Sequence, residues 1–329
     1  VPLSLSILDL ALVGPGQTAR EALNASVAVA QLAEAKGYRR IWYAEHHNIP
    51  AIASSATSVV IAHVAAHTRT IRLGAGGIML PNHSPLVIAE QFGTLESLHP
   101  GRIDLGLGRA PGTDPQTLYA LRRSDASAET FPQDVLELQA YLAGESAIPG
   151  VDAIPGKGTR VPLYILGSSL FGARLAAALG LPYAFASHFA PDALHDAVAV
   201  YRREFKPSAQ LQKPHVIAGL NVIAAETAEE ASEHFKATLR FRARALLAKG
   251  RPLTDGEADA LLASPAGRHV VQMTRYSAIG TPADVVAEVR RFARDAGADE
   301  VITVHPAQTL SARLRSVALL AEAAAEQPP

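Results

Sequence analysis

The feature that most limits how this chain can fold is a repeated alternation. Short apolar runs with strand character are each followed by a longer run with helical apolar spacing. The strand-like runs are residues 3–10, 39–45 (RRIWYAE), 71–80 (IRLGAGGIML), 102–108 (RIDLGLG), 161–167 (VPLYILG), 181–189, 215–225 and 300–305. Helical patterns fall at about 17–36, 55–67, 84–98, 130–143, 170–179, 191–204 and 227–248, with one more before and one after the last strand. Strand and helix in alternation predict parallel strands with right-handed crossovers. The expected fold class is therefore α/β, a (β/α)8 TIM barrel, with a doubly wound open sheet as the alternative. Two segments break the rhythm as insertions, 109–129 after strand 4 and 249–280 before strand 8. The second carries Gly250, Gly256 and Gly267 without a clear apolar period, and reads as a mobile lid on a single domain spanning 1–329.

Composition narrows the partners. A formal net charge of -1 gives no electrostatic reason to expect nucleic acid or an anionic membrane. The chain has no cysteine, which excludes disulfides and thiolate chemistry. The opening VPLSLSILDL lacks a basic segment and meets Asp9 early, so it reads as a strand and not a signal peptide. With no long apolar run, the expectation is a cytoplasmic protein.

In a barrel, functional groups gather at the C-terminal ends of the strands. The second strand-like run, IWYAEHHN at 41–48, delivers Glu45, His46 and His47 there. Ser187 and His188 lie at the end of the sixth run, and Arg109 follows the fourth. Histidine suits proton transfer because its ordinary pKa is about 6.5; the alternative is a hydrogen-bonded pair that fixes the next loop. Alternation along a strand would turn His46 and His47 to opposite sides, which argues against a shared metal. His63 and His67 are four apart on a helix, but HVAAH lacks the glutamate of a zincin motif, so no metal is expected.

Glycines make two further candidates. GAGG at 74–77 lies inside a strand, where it marks either a bulge or the close approach of a flat ligand. LGSSLFG at 166–172 ends a strand in Gly167, Ser168 and Ser169 and opens a helix. Free amides and hydroxyls there form an anion site suited to phosphate; ordinary N-capping by one serine is the alternative. Arg109 would supply charge, or would pair with Asp104 or Asp114.

These stretches, together with LGAGGIMLPNHSPLVIAEQFGTLESLHPGRIDLGLGRAPGTD at 73–114 and PLYILGSSLFGARLAAALGLPYAFASHFAP at 162–191, resemble bacterial luciferase-like flavin-dependent monooxygenases. The resemblance spans nearly the whole chain and is weakest at 115–160 and 249–280. It implies FMN at the top of the barrel, in its reduced form, with O2 as co-substrate. It implies His46 as the catalytic histidine and Glu45 as the glutamate of the same motif, assigned to the cofactor site. It implies a cis peptide at Gly76-Gly77 beside the flavin ring, and Arg109, Gly167, Ser168 and Ser169 at the phosphate. By position along its strand, Glu45 could instead face away from His46 and brace the second or third strand. In the chain, Gly167 stands where luciferase has a glutamate, and a histidine after the third strand is shifted to His83.

The expected function is FMN-dependent oxygenation of a small organic substrate, with an NAD(P)H:flavin reductase as a separate partner and a homodimer as the assembly. A deazaflavin-dependent hydride-transfer enzyme and a non-catalytic flavin-binding protein are the alternatives.

Overall fold

A computed structural model of the chain describes residues 3–110, 113–248 and 251–326. In chain order the elements are β1 (Leu5–Asp9), α1 (Ala19–Ala35), β2 (Arg40–Tyr43), α2 (Thr57–Ala65), β3 (Arg72–Met79), α3 (Pro85–Leu98), β4 (Ile103–Gly108), α4 (Pro115–Ala120) and α5 (Phe131–Ala143). There follow β5 (Leu163–Gly167), α6 (Leu170–Leu179), β6 (Tyr183–Phe185), α7 (Leu194–Glu204), β7 (Val216–Ala224) and α8 (Ala228–Leu247). The chain continues through α9 (Asp255–Ala263), α10 (Pro265–Gln272), β8 (Ser277–Gly280), α11 (Pro282–Asp295), β9 (Glu300–Val304) and α12 (Leu310–Glu326).

Strands β1 to β7 and β9 pair in parallel, each with the next, and β9 returns to β1, so the sheet closes into an eight-stranded barrel. The open-sheet alternative is thereby excluded. β8 lies outside this ring and pairs with the far end of β7, Asn221–Ala224 against Ser277–Gly280. The sequence reading missed it, because four residues with a single apolar pair carry almost no periodic signal. The stretch before β9 is also not irregular: α9 and α10 occupy it. Thr254 caps α9 in a reciprocal arrangement with Glu257, and Ser264 caps α10, which explains why these helices form on weak apolar patterns. Lys249 and Gly250 lie outside the described residues.

Alternation along each strand sorts the side chains. Ile7, Ile41, Tyr43, Leu73, Leu105 and Ile165 face outward into the shell of helices, where they join the large apolar core. Leu8, Trp42, Ala44, Tyr164, Ile217, Ile302 and Val304 form a separate cluster inside the ring. Below that cluster the interior is charged. Arg40 of β2 is 1% exposed and donates to Asp104 of β4 at 2.8 Å, to the Tyr164 hydroxyl of β5 at 2.7 Å and to Glu300 of β9 at 3.2 Å. Arg72 of β3 and the Trp42 indole N–H also donate to Asp104, and Ser6 of β1 donates to Glu300.

Trp42 accounts for the glycines of β3. A Cβ at Gly74 would come within 2.9 Å of Trp42 Cδ1 and 2.6 Å of the Asp104 carbonyl oxygen; one at Gly76 would lie 2.8 Å from Leu8 and 2.9 Å from Trp42. The β3–β4 register shifts between Ala75 and Ile78, so the bulge reading of this stretch holds. The Gly76-Gly77 bond is cis, as the resemblance implied.

Removing the central guanidinium while leaving its partners should be severe. Arg40→Leu strands Asp104 and Glu300 as buried carboxylates, and such a loss costs about 3–5 kcal/mol. Denaturant unfolding of the variant measures it; a change within about 0.5 kcal/mol would mean that the other donors carry the carboxylates without Arg40.

Candidate functional site

The C-terminal ends of the strands open into one cavity of about 860 Å³. Leu8, Trp42, Leu166, Ile302 and Val304 rise into it from the barrel interior. Phe171, Phe189, Phe241, Leu246 and Met273 add apolar wall from the surrounding helices and loops. Of the expected site residues, His46, Gly76, Arg109, Gly167, Ser168 and Ser169 line this single space. The barrel therefore brings together residues up to 123 positions apart in sequence (Ser169 against His46). Glu45 and Gly77 do not line it.

Glu45, which the resemblance assigned to the cofactor site, is instead buried behind the cavity wall. Its carboxylate is fully buried and accepts from the Met79 backbone N–H at 2.9 Å, from His83 Nε2 at 2.9 Å and from Asn82 at 3.3 Å, with His47 Nε2 at 2.7 Å. Glu45 thus ties the end of β2 to the turn after β3, the bracing role that strand alternation left open. Burial alone would raise its pKa. The hydrogen bonds from His47, His83 and Met79 and the charge of His83 outweigh burial and hold it down to about 2. The donor atoms of Glu45, His47 and His83 lie within 4.8 Å of one another. The separations of 2.7 and 2.9 Å are those of hydrogen bonds.

The expected division between the two histidines also changes. β2 ends at Tyr43, so strand alternation does not extend to His46 and His47, and both line the cavity. They differ in bonding instead. His47 is locked to Glu45, whose hydrogen bond raises its pKa. His46 lies near enough to His188 to lower its pKa. His188 was noted at the strand end without a role. Its pKa is pushed down to about 3, first by burial and then by the charges of Arg242 and His46, so it is neutral at pH 7. Its Nδ1 is buried without a hydrogen bond among the described residues. His63 and His67 are exposed, and His67 Nδ1 bonds the His63 carbonyl at 2.7 Å near the end of α2.

The residues expected to bind an anion also line the cavity. Ser169 stands at the N-cap of α6 but makes no side-chain cap bond, so ordinary capping does not use it. Neither the Ser168 nor the Ser169 hydroxyl has a hydrogen-bond partner among the described residues, and both are exposed to solvent or cavity. The Arg109 guanidinium stacks 4.1 Å from the ring centre of Phe171. It forms no salt bridge among the described residues. Asp104 is taken by Arg40 and Arg72, while Asp114 accepts from Asn48, Gln116 and Thr117. Arg242 of α8 also reaches the cavity, and nothing in the periodicity of that helix singled it out.

The depressed Glu45 pKa fixes the sign of a pH effect. A carboxylate whose folded value lies near 2, below the ordinary 4.5, contributes its full stabilisation above pH 4.5 and loses it as the pH falls through 2. The shift corresponds to about 3 kcal/mol at most. Glu45→Gln should therefore unfold with a flatter acid limb than the wild type between those limits, measured by denaturant titrations across pH. Parallel acid limbs would show that the Glu45 charge does not support the fold.

With this geometry in view, similarity to known proteins is informative. The family described as luciferase-like monooxygenase matches residues 3–300. A protein of Escherichia coli K12 named luciferase-like monooxygenase is 47% identical over 322 residues, covering 96% of each chain. The crystal structure of apo-MsnO8 is similar with a TM-score of 0.89 at 34% identity, covering 99% of this chain and 100% of that one. The oxygenating constituent of 3,6-diketocamphane monooxygenase from Pseudomonas putida, solved with FMN, shares the fold at a TM-score of 0.74 and 16% identity, covering 99% of each chain. The chain is an oxidoreductase and belongs to the luciferase-like monooxygenase family.

Proposed function

We propose that the chain is an FMN-dependent monooxygenase that receives reduced flavin from a separate NAD(P)H:flavin reductase and oxygenates a small organic substrate with O2. The observation that carries this reading is the set of unused donors at one side of an otherwise apolar cavity. Among the described residues, the Ser168 and Ser169 hydroxyls and the Arg109 guanidinium have no acceptor, and the first amides of α6 are free as at any helix N-terminus. A helix N-terminus with an adjacent guanidinium favours a phosphate dianion. Stacking on Phe171 keeps Arg109 extended over the cavity instead of folded onto a carboxylate. The volume of about 860 Å³ suits a cofactor with a small substrate. An enzyme of the same fold was solved with FMN, which supports that choice of flavin.

Reduced flavin, once bound, supplies the activation of O2. The residues of this chain bind, orient and shield. Gly76 and Trp42 form a flat, tightly packed floor, and the phenylalanines exclude water from the walls. His46 is the proton-transfer residue in this reading, because it faces the cavity while Glu45 holds His47. Met273, at the end of α10, brings the inserted segment to the cavity wall, and we extend the reading to closure of α9 and α10 over the bound cofactor.

Four outcomes test the reading. Arg109→Ala should weaken FMN binding about 10- to 150-fold, from the roughly 1.5–3 kcal/mol of a charged hydrogen bond; an unchanged dissociation constant would remove Arg109 from the phosphate site. In a titration of the same protein, a deazaflavin cofactor that binds more tightly than FMN would overturn the choice of flavin. His46→Ala should keep FMN affinity while turnover falls about 10²–10⁴-fold, and His47→Ala should chiefly lower stability. Amide exchange in α9 and α10 should be faster than in the barrel strands without FMN and should slow when it binds; equal protection throughout would mean a packed insertion.

A further inference from the structure

The helix α8 carries three arginines at every second position, Arg240, Arg242 and Arg244. On a helix, the first and third share one face and the middle one points the other way. The outer pair is fully neutralised. Arg240 is paired with Asp255 and Asp259, and Arg244 with Asp255. Arg242 faces the cavity and has no acidic partner among the described residues. Its one hydrogen bond is to the neutral Asn221 side-chain oxygen at 3.0 Å. Asn221 is itself fixed, because its amide donates to the His188 carbonyl at 2.7 Å and to that of Tyr276 at 3.2 Å.

The surroundings make this charge costly. Burial pushes the Arg242 pKa down, and the neighbouring face of α8 presents Phe241, Ala245 and Leu246 to the same cavity. His188, whose pKa the Arg242 charge helps to lower, is held neutral and cannot compensate it. Among the described lining residues the only acidic one is Asp114, which is already bonded to Asn48 and Thr117. A guanidinium held by a fixed amide against an apolar wall, with its remaining N–H groups unused, is a preorganised receptor for a planar anion. It is also separate from the phosphate end. Arg109 follows β4, whereas Arg242 is on the helix after β7, three strands further round the ring.

We infer that Arg242 is a specificity-determining residue and that the cavity takes a small organic acid, its carboxylate on Arg242 and its apolar body against the phenylalanine-lined wall. This deepens the proposed function and rests on it only for the identity of the cavity's other occupant. Asn221 positions Arg242, and neutral His188 beside it adds no competing charge.

The test is isothermal titration of the full-length, FMN-loaded protein with a matched set of probes: hexanoate, hexanamide and hexylammonium. Hexanoate should bind about 10- to 100-fold more tightly than hexanamide, as a charged hydrogen-bond pair predicts, and hexylammonium should be weakest. Arg242→Gln should erase the difference between acid and amide without changing FMN affinity, and Arg242→Lys should restore part of it. Arg109→Gln, titrated at an FMN concentration raised to saturate its weakened cofactor site, should leave the difference intact. Equal affinity for acid and amide in the wild type, no hexanoate binding at millimolar concentration, or a preference that survives Arg242→Gln would each overturn the inference. So would a preference lost in Arg109→Gln and kept in Arg242→Gln, since the acid would then occupy the phosphate end. Should Arg242→Gln fail to fold, the wild-type comparison together with Arg242→Lys decides. Repeating the series without flavin separates the two readings. Arg242-dependent acid selectivity in a protein that does not bind FMN would retain the inference and sink the proposed cofactor.

Discussion

The guanidinium of Arg40 is the contact on which the rest of the molecule depends. It lies inside the barrel and joins β2 to β4, β5 and β9 through Asp104, Tyr164 and Glu300. Arg72 and Ser6 extend the same network to β3 and β1. Six of the eight ring strands are thereby tied through polar groups that no water need reach. A buried charge pair gains little over apolar packing, but losing one partner is expensive, so its main consequence is specificity of arrangement. The strands can close only in a register that brings Asp104 and Glu300 to the same cation.

That layer determines what can lie above it. Trp42 follows Arg40 by two residues, so its indole stacks directly over the charged layer and donates to Asp104. Its bulk fills the middle of the barrel and excludes a Cβ from Gly74 and Gly76. The floor of the cavity is therefore a consequence of the network beneath it. At the level of Arg40 nearly every polar group is paired, whereas at the cavity, among the described residues, the two serine hydroxyls and Arg109 have no hydrogen-bond partner and Arg242 has only the neutral Asn221 amide. The fold is stabilised at one end and left with unsatisfied donors at the other, where a ligand can complete them.

The barrel was legible because parallel strands buried on both faces leave dense apolar runs, and eight such runs survive loop irregularity. LGSSLFG and Arg109 were legible for a similar reason, since strand end, small hydroxyl residues and helix start follow one another in sequence. Other features were not. Glu45 reads as a companion of His46 because the two are adjacent, yet its partners His83 and Asn82 lie on the next strand's turn. The glycines of β3 suggest a ligand, but the group that approaches them most closely is Trp42. β8 is too short to announce itself. Arg242 is one of three similar residues on its helix, and nothing local marks it as the unpaired one.

The sequence by itself determined the order of strands and helices, their parallel sense and the rim at which polar residues gather. These follow from periodicity, capping and the handedness of crossovers, all of which act over a few tens of residues. Only the tertiary structure decided which of those polar residues are already satisfied. A carboxylate held by two imidazoles and an arginine held by an amide look alike along the chain. They differ in the groups that closure of the barrel sets beside them, and those groups come from strands and helices far away in sequence.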